Sequence, residues 1–210
     1  MNKKKIGIIS WLDNLWYHQK AKIIIIGVLV ISIGVCIIQC SNKTEPDIYL
    51  LYAGPDTLIQ SEASQVETLM AEFIPEDYNR DGSITASFKQ FQLEYGVSRS
   101  QKALDNEMIT GKTVVLLLSP AEYQYCLKSG YLASFTDAIG YIPEKATDEY
   151  SVELFDLECA TEMGIGSLPI DTLVCIAKPN FIDNDDSTES ADERIYKNQL
   201  KLFEHMLRHG

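Results

Sequence analysis

The sequence predicts an α/β protein: an N-terminal transmembrane helix followed by one three-layer lobe with a mainly parallel sheet. Three observations carry that expectation. Residues 23–42, between Lys22 and Lys43, hold twenty consecutive positions without a charge. From Asp47 onward, short apolar strand patterns alternate with amphipathic helical ones, the order that builds a parallel sheet through helical crossovers. The run Thr113-Val-Val-Leu-Leu-Leu-Ser119 shows no polar alternation, as expected of a strand covered by helices on both faces.

A hydrocarbon core of roughly 30 Å needs about 20 apolar helical residues, so the uncharged run suits a single span. Lys3, Lys4, Lys5, Lys20 and Lys22 precede it, opposed only by Asp13. The positive-inside bias therefore assigns residues 1–22 to the cytoplasm, 23–42 to the transmembrane helix, 43–46 to a spacer and 47–210 to an extracytoplasmic domain. Trp11, Trp16 and Tyr17 stand where aromatic rings favour the headgroup layer. A cleaved signal would need a small-x-small site, which Cys36-Ile-Ile-Gln-Cys40 does not supply. A lipoprotein modified at Cys40 is the alternative, with Gln39 in a place normally held by a small residue. The expected location is the cell membrane, as a single-pass signal anchor.

The chain of 210 residues has 18 basic and 30 acidic side chains, a net charge of −12. Five lysines and one aspartate lie before residue 23, which leaves 13 basic against 29 acidic residues, a net of −16, in the remainder. Such an acidic domain is not built for nucleic acid, whose phosphates need clustered Lys and Arg. It is equally unsuited to lie flat on anionic lipid. Outside the anchor the cysteines are Cys126, Cys159 and Cys175, an odd number without C-x-x-C spacing. Cys126 and Cys175 fall in apolar patterns and are expected as small buried hydrophobes. His205 and His209 are four apart with no third ligand in view, too little for a metal site.

The elements are expected in this order. Asp47–Ala53 is a strand ended by Gly54-Pro55. Ile59, Ala63, Val66, Met70 and Phe73 recur at helical spacing and predict a helix over 56–73. Ile84, Ala86 and Phe88 alternate as a strand, and the slip to Phe91 and Leu93 predicts a bulge or a strong twist near Gln90. A helix over 98–110 closes at Gly111, and strand 113–119 follows. Ser119-Pro120-Ala121-Glu122 opens the next helix with a capping serine and a proline in its first turn, and Gly130 ends it. A helical turn is expected over 134–139, a short strand around Val152, Leu154 and Leu157, and a strand over 170–177. Asp183–Asp192 reads as an acidic loop, and Ser190 with Glu193 as a capping box for a broad-faced terminal helix.

Asp77-Tyr-Asn79-Arg-Asp81-Gly82-Ser83 matches the first half of a calcium loop, in which hard oxygen ligands wrap the ion around a glycine-permitted turn. Asp77, Asn79, Asp81 and Ser83 are the candidate calcium ligands. The twelfth position, normally a bidentate Glu, is Phe88, so a further acid such as Glu76 would have to complete the shell. The competing reading is a tight Asn/Asp/Gly turn between helix and strand. No other cofactor is implied. Gly111-Lys-Thr113 precedes a strand rather than a helix, and position 106 is Asn where a phosphate-binding loop needs Gly. Gly164-Ile-Gly166 lacks the third glycine of a dinucleotide turn. Beyond the anchor, histidine occurs only in the last helix, so a Ser–His or Cys–His pair is poorly supplied.

Position gives the remaining candidates. In open α/β sheets ligands lie beyond the carboxyl ends of the strands. Two such ends turn into helix N-termini, at Tyr52-Ala-Gly-Pro-Asp56 and Leu118-Ser-Pro-Ala121. Gly54, Asp56, Ser119 and Glu122 are accordingly the candidate ligand-binding residues, although Ser119 is needed as a cap in any case.

The block Trp11-Leu-Asp-Asn-Leu-Trp-Tyr-His-Gln-Lys-Ala-Lys-Ile23 resembles the start of a group of uncharacterised single-pass membrane proteins of clostridial-type Gram-positive bacteria. Asp47–Ala53, the strand 113–119, Gly130-Tyr-Leu-Ala-Ser-Phe-Thr-Asp137 and Gly166-Ser-Leu-Pro169 with the strand after it resemble one lobe of the type II extracellular solute-binding proteins of ABC transporters. The resemblance implies a periplasmic-binding-protein-like lobe. Those proteins close two lobes over a ligand, and here about 28 residues, 141–168, stand in the place of the second. The leading expectation is a non-enzymatic binding or accessory domain beside a membrane transporter subunit. The alternatives are a solute receptor whose cleft is completed by a partner or a homodimer mate, and a cell-envelope enzyme.

Overall fold

An interior strand, β1 (Ile48–Gly54), is paired on both sides in the computed structural model, which describes residues 22, 24–34, 45–93, 98–110, 112–179 and 191–208. The chain divides into two compact units, Met1–Thr44 and Glu45–Gly210. In the first, residues 24–34 are helical. The rest of the expected span lies outside the described residues, as do Cys36, Cys40, Ser190 and most of the acidic stretch before it. Among the described residues no helix is long and apolar enough to cross a membrane.

In the second unit β1 is followed by α1 (Gln60–Phe73), β2 (Ala86–Gln92), α2 (Ser98–Thr110), β3 (Val115–Leu118) and α3 (Pro120–Ser129). Then come α4 (Phe135–Ile139), β4 (Ser151–Glu153), a 3-10 turn (Leu154–Asp156), α5 (Cys159–Glu162), β5 (Leu173–Ile176) and α6 (Ala191–Arg208). The five strands form an open sheet in the order β2-β1-β3-β5-β4. β1 pairs in parallel with both β2 and β3, and β5 runs antiparallel to both β3 and β4. The sheet is thus mixed but mostly parallel, with one reversed strand set inside it.

Side-chain alternation on β1 builds both cores. Ile48, Leu50 and Tyr52 face a cluster with Ala63, Val66 and Met70 of α1 and Leu202, Phe203 and Met206 of α6. Leu51 and Ala53 face the opposite cluster, with Leu104 and Met108 of α2 and Tyr123 and Cys126 of α3. The three-layer arrangement follows. Cys126 and Cys175 are buried as expected, and so is Cys159.

Local chemistry sets the helix ends. Ser119 Oγ accepts the Glu122 N–H at the start of α3, and Gly130 closes that helix in the left-handed region at φ 72°. Ser134 caps α4 in the same way. α6 is pinned by Gln199, which is fully buried and spans the main chain before β3: Oε1 accepts the Val114 N–H at 2.9 Å and Nε2 donates to the Lys112 carbonyl.

Four expectations need correction. The helix expected from residue 56 starts at Gln60, because the chain before it is spent on β2: the Leu58 N–H donates to Gln90 Oε1 at 2.7 Å. No bulge occurs at Gln90, since β1 and β2 stay in register from Ile48↔Ala86 to Gly54↔Gln92. The apolar residues of β2 serve two faces, Phe88 one cluster and Phe91 the other, and that is the apparent slip. The strand hinted at over 152–157 is only Ser151–Glu153, and Leu154 begins a 3-10 turn. The last strand, Leu173–Ile176, is shorter than the expected 170–177, and it runs antiparallel between β3 and β4.

Candidate functional site at the carboxyl end of the sheet

The chain leaves β1 for α1 on the β2 side, and leaves β3 for α3 on the way to β4. The β1–β3 seam is therefore the point where the connections diverge, the place where open α/β sheets leave a crevice. Gly54 and Ser119 meet there: the Ser119 N–H donates to the Ala53 carbonyl at 2.9 Å, and the Leu93 N–H donates to the Gly54 carbonyl at 2.9 Å. β5 brings its amino end to the same edge, since Leu173 pairs with Leu118. Asp171 and Thr172 thus join the edge.

Gly54 is buried against its neighbour but one. A β-carbon on Gly54 would stand 2.2 Å from the Tyr52 hydroxyl oxygen and 2.6 Å from Cζ, closer than non-bonded atoms tolerate. The absence of a side chain at Gly54 is what lets the Tyr52 ring lie over the strand end. Tyr52 is fully buried, and its hydroxyl has no hydrogen-bond partner. Burial pushes that hydroxyl up to about 12; the Asp56 carboxylate adds to the rise, the Asp56 main chain opposes it, and Asp171 adds further. Asp56 and Asp171 are both exposed.

On the opposite face of the same edge, Glu122 sits in the first turn of α3 and Gln101 near the start of α2. Burial raises the Glu122 carboxyl, and the Gln101 amide opposes the rise. Glu122 Oε2 and Gln101 Nε2 are nevertheless both buried without a hydrogen bond. Ser119 is 6% exposed, and its hydroxyl oxygen is taken by the Glu122 N–H; the cap accounts for it. The edge is also partly apolar. Ile170 is 78% exposed, Ile59 65% and Phe155 42%, and Phe155 follows Leu154, whose N–H donates to the Thr172 carbonyl.

Of the four candidate ligand residues, the structure brings Gly54, Asp56, Ser119 and Glu122 to one end of the sheet, with Glu122 on the α2/α3 face. Tyr52, Gln101 and Asp171 were not legible as site residues. Tyr52 reads as a core aromatic, and Asp171 reaches the edge only because β5 is reversed.

The calcium-loop candidates lie at the other end of β1. Asp77 Oδ1 accepts the Arg80 N–H at 2.6 Å and its Oδ2 the Gly82 N–H at 2.8 Å. Asn79 Oδ1 accepts the Asp81 N–H, and Asp81 Oδ1 accepts both the N–H and the hydroxyl of Ser83. The Ser83 hydroxyl and N–H hold the Asp81 carboxyl below its usual range. Arg80 and Gly82 take positive φ, 61° and 92°. Asp47, 4% exposed, ties this loop to β1 by accepting the N–H groups of Asn79 and Thr85. These bonds are those of an Asx-stabilised turn, and Phe88, at the twelfth position, is buried in β2. Among the described residues no group of three or more His, Cys, Asp or Glu side chains could hold a metal ion.

A separate cavity of about 450 Å³ lies between Leu127, Leu132, Ser134, Asp137, Lys178 and Tyr196, toward the amino ends of the parallel strands. No protein-family model, curated protein or solved structure matches the chain.

Proposed function

We propose that this chain is a membrane-anchored, extracytoplasmic, non-enzymatic binding or accessory domain that works beside an ABC-type transporter and makes its contacts through the carboxyl end of its sheet. The observation that carries the reading is the state of that end: a buried Tyr52 hydroxyl and a Glu122 oxygen without partners, beside the exposed side chains of Ile59 and Ile170. Buried polar groups are ordinarily hydrogen-bonded. Exposed isoleucines beside unsatisfied acceptors accord with a surface that something else completes.

The likeness to one lobe of a type II solute-binding protein supports the same reading. β5 re-enters the sheet between β3 and β4 directly after Gly166-Ser-Leu-Pro169, the segment that resembles the return to the lobe. With one lobe in place, the edge is half a cleft, better suited to a protein face than to closing over a small solute. The non-enzymatic character is supported by the state of the nucleophile candidates. Burial pushes the Cys126 thiol up to about 12 and the Cys159 thiol up to about 11, far from the thiolate that reacts. His205 packs its ring 4.6 Å from that of Phe73.

Affinity capture of the full-length protein from native membranes after light crosslinking tests the proposal. Recovery of a transporter permease is the expected result. Recovery of a homodimer alone would favour the receptor reading, with the cleft completed by the dimer mate, and would overturn the accessory one.

A further inference from the structure

We propose that the Glu67 carboxylate guards the open edge of the sheet: by holding the Phe88 N–H in the middle of β2, it keeps a second copy of this chain from adding its own strand there.

The sheet has two edge strands, β2 and β4. β4 is three residues long, and its outer side is taken: Ala146 bridges Val152, and the Thr147 N–H donates to the Ser151 carbonyl. β2 is seven residues long and is paired only on its β1 side. The phase of that pairing is set at its two ends. The Asp47 N–H donates to the Thr85 carbonyl, and the Leu93 N–H donates to the Gly54 carbonyl. Successive residues of a strand turn their main-chain groups to opposite sides. Thr85 and Leu93 turn theirs toward β1, so Ala86, Phe88, Gln90 and Gln92 turn theirs outward. Such a row of donors and acceptors is a template for another strand.

Edge strands are ordinarily protected by a proline, a bulge or a free charge. β2 has no proline, and its register with β1 is unbroken. Its one charge, Lys89, is held by Glu107 of α2 at 2.7 Å. What β2 has instead is Glu67, which reaches from α1 to accept the Phe88 N–H at 3.0 Å. Among the described residues no other outward N–H of β2 has a partner.

The position of that one bond matters. A strand laid along β2 has to pair with residues 86, 88, 90 and 92 in turn, and Phe88 stands inside the row. A carboxylate only accepts, so an incoming carbonyl meant for the Phe88 N–H meets a negative group already bonded to it. Charge-assisted bonds of this kind are about twice as strong as neutral ones, so the exchange is a loss. The competitor is a second copy because its β2 offers the same row, and two such strands can pair antiparallel about a two-fold axis.

The test compares the full-length chain with Glu67→Ala and Glu67→Gln in detergent micelles over a wide range of concentration. Light scattering gives the molar mass, and amide hydrogen exchange locates the contact. Alanine keeps the helix and removes the acceptor; glutamine keeps an acceptor oxygen in the same place. In dilute Glu67→Ala the Phe88 amide should exchange about tenfold faster than in the parent. At high concentration that variant should gain mass over the parent, with the Gln90 and Gln92 amides becoming protected. Glu67→Gln should match the parent in both measurements. A Glu67→Ala variant with the parent's mass at every concentration would overturn the proposal. So would association that leaves Gln90 and Gln92 unprotected, or a Glu67→Gln variant that associates as readily as Glu67→Ala.

Discussion

The Tyr52 hydroxyl occupies the space that a side chain on Gly54 would need, with its oxygen 2.2 Å from the β-carbon position. Two residues on one strand face thereby fix each other: the glycine is required by the tyrosine, and the tyrosine is held at the strand end by the glycine. The same contact leaves a buried hydroxyl at the β1–β3 seam with no partner.

Gly54→Ala should therefore destabilise the domain by about 1–3 kcal/mol, the usual cost of forcing atoms into a filled core. Urea denaturation read by far-ultraviolet circular dichroism checks this. Tyr52→Leu should recover part of the loss in the double variant, because the clash is with the ring end. Equal stability of Gly54→Ala and the parent would contradict the packing described.

Gln199 holds α6 to the main chain ahead of β3 by accepting from Val114 and donating to Lys112. Gln199→Leu keeps the bulk and leaves a buried N–H and a carbonyl without those partners. The expected cost is about 1–3 kcal/mol, read as a lower urea midpoint. Faster amide exchange at Val114 would place the loss at this contact.

Asp148 accepts hydrogen bonds from the Tyr123 hydroxyl, the Tyr150 N–H and the Ser151 hydroxyl. Desolvation works to raise its carboxyl, but those donors outweigh it and hold the group below the usual carboxylate range. A depressed folded value means the stabilisation is complete above the unfolded value of about 3.9 and fades as pH falls through the folded one. Tyr123→Phe should lower stability near neutral pH by about 1 kcal/mol, a figure discounted for the exposure of Asp148. The gap between variant and parent should close on acidification, and a gap independent of pH would argue against the pairing.

The loop from Asp77 to Ser83 makes a prediction about calcium. Its carboxylates accept from the loop's own N–H groups, and Asp47 anchors the loop to β1. Asp47→Ala and Asp77→Ala should each lower the thermal midpoint by a similar amount in calcium and in chelator, because what they remove is turn geometry. A midpoint for the parent protein that rises with calcium, with the rise lost in Asp77→Ala, would make the loop a metal site.

What the sequence made legible was local. β1 announced itself by its apolar run and Gly-Pro stop, and α3 by Ser119, Pro120 and Glu122, whose capping roles depend on neighbours within one turn. The Gln90 region misled because a strand with Phe88 on one face and Phe91 on the other looks, in one dimension, like a slipped alternation. The reversal of β5 was hidden because pairing direction depends on partners far away in sequence, here Leu116 with Cys175. That reversal delivers Asp171 to the edge, which could not be read in advance. Tyr52 was concealed differently, since nothing in a sequence shows whether a buried hydroxyl finds a partner.

We propose that this domain meets another molecule at the carboxyl end of its sheet. Site-specific photo-crosslinking from position 170, with position 128 at the far end of α3 as the exposed reference, tests it most directly in native membranes. A discrete adduct with a membrane protein is expected from position 170 and none from position 128. Adducts of equal yield from both positions, or an adduct from 128 alone, would contradict it.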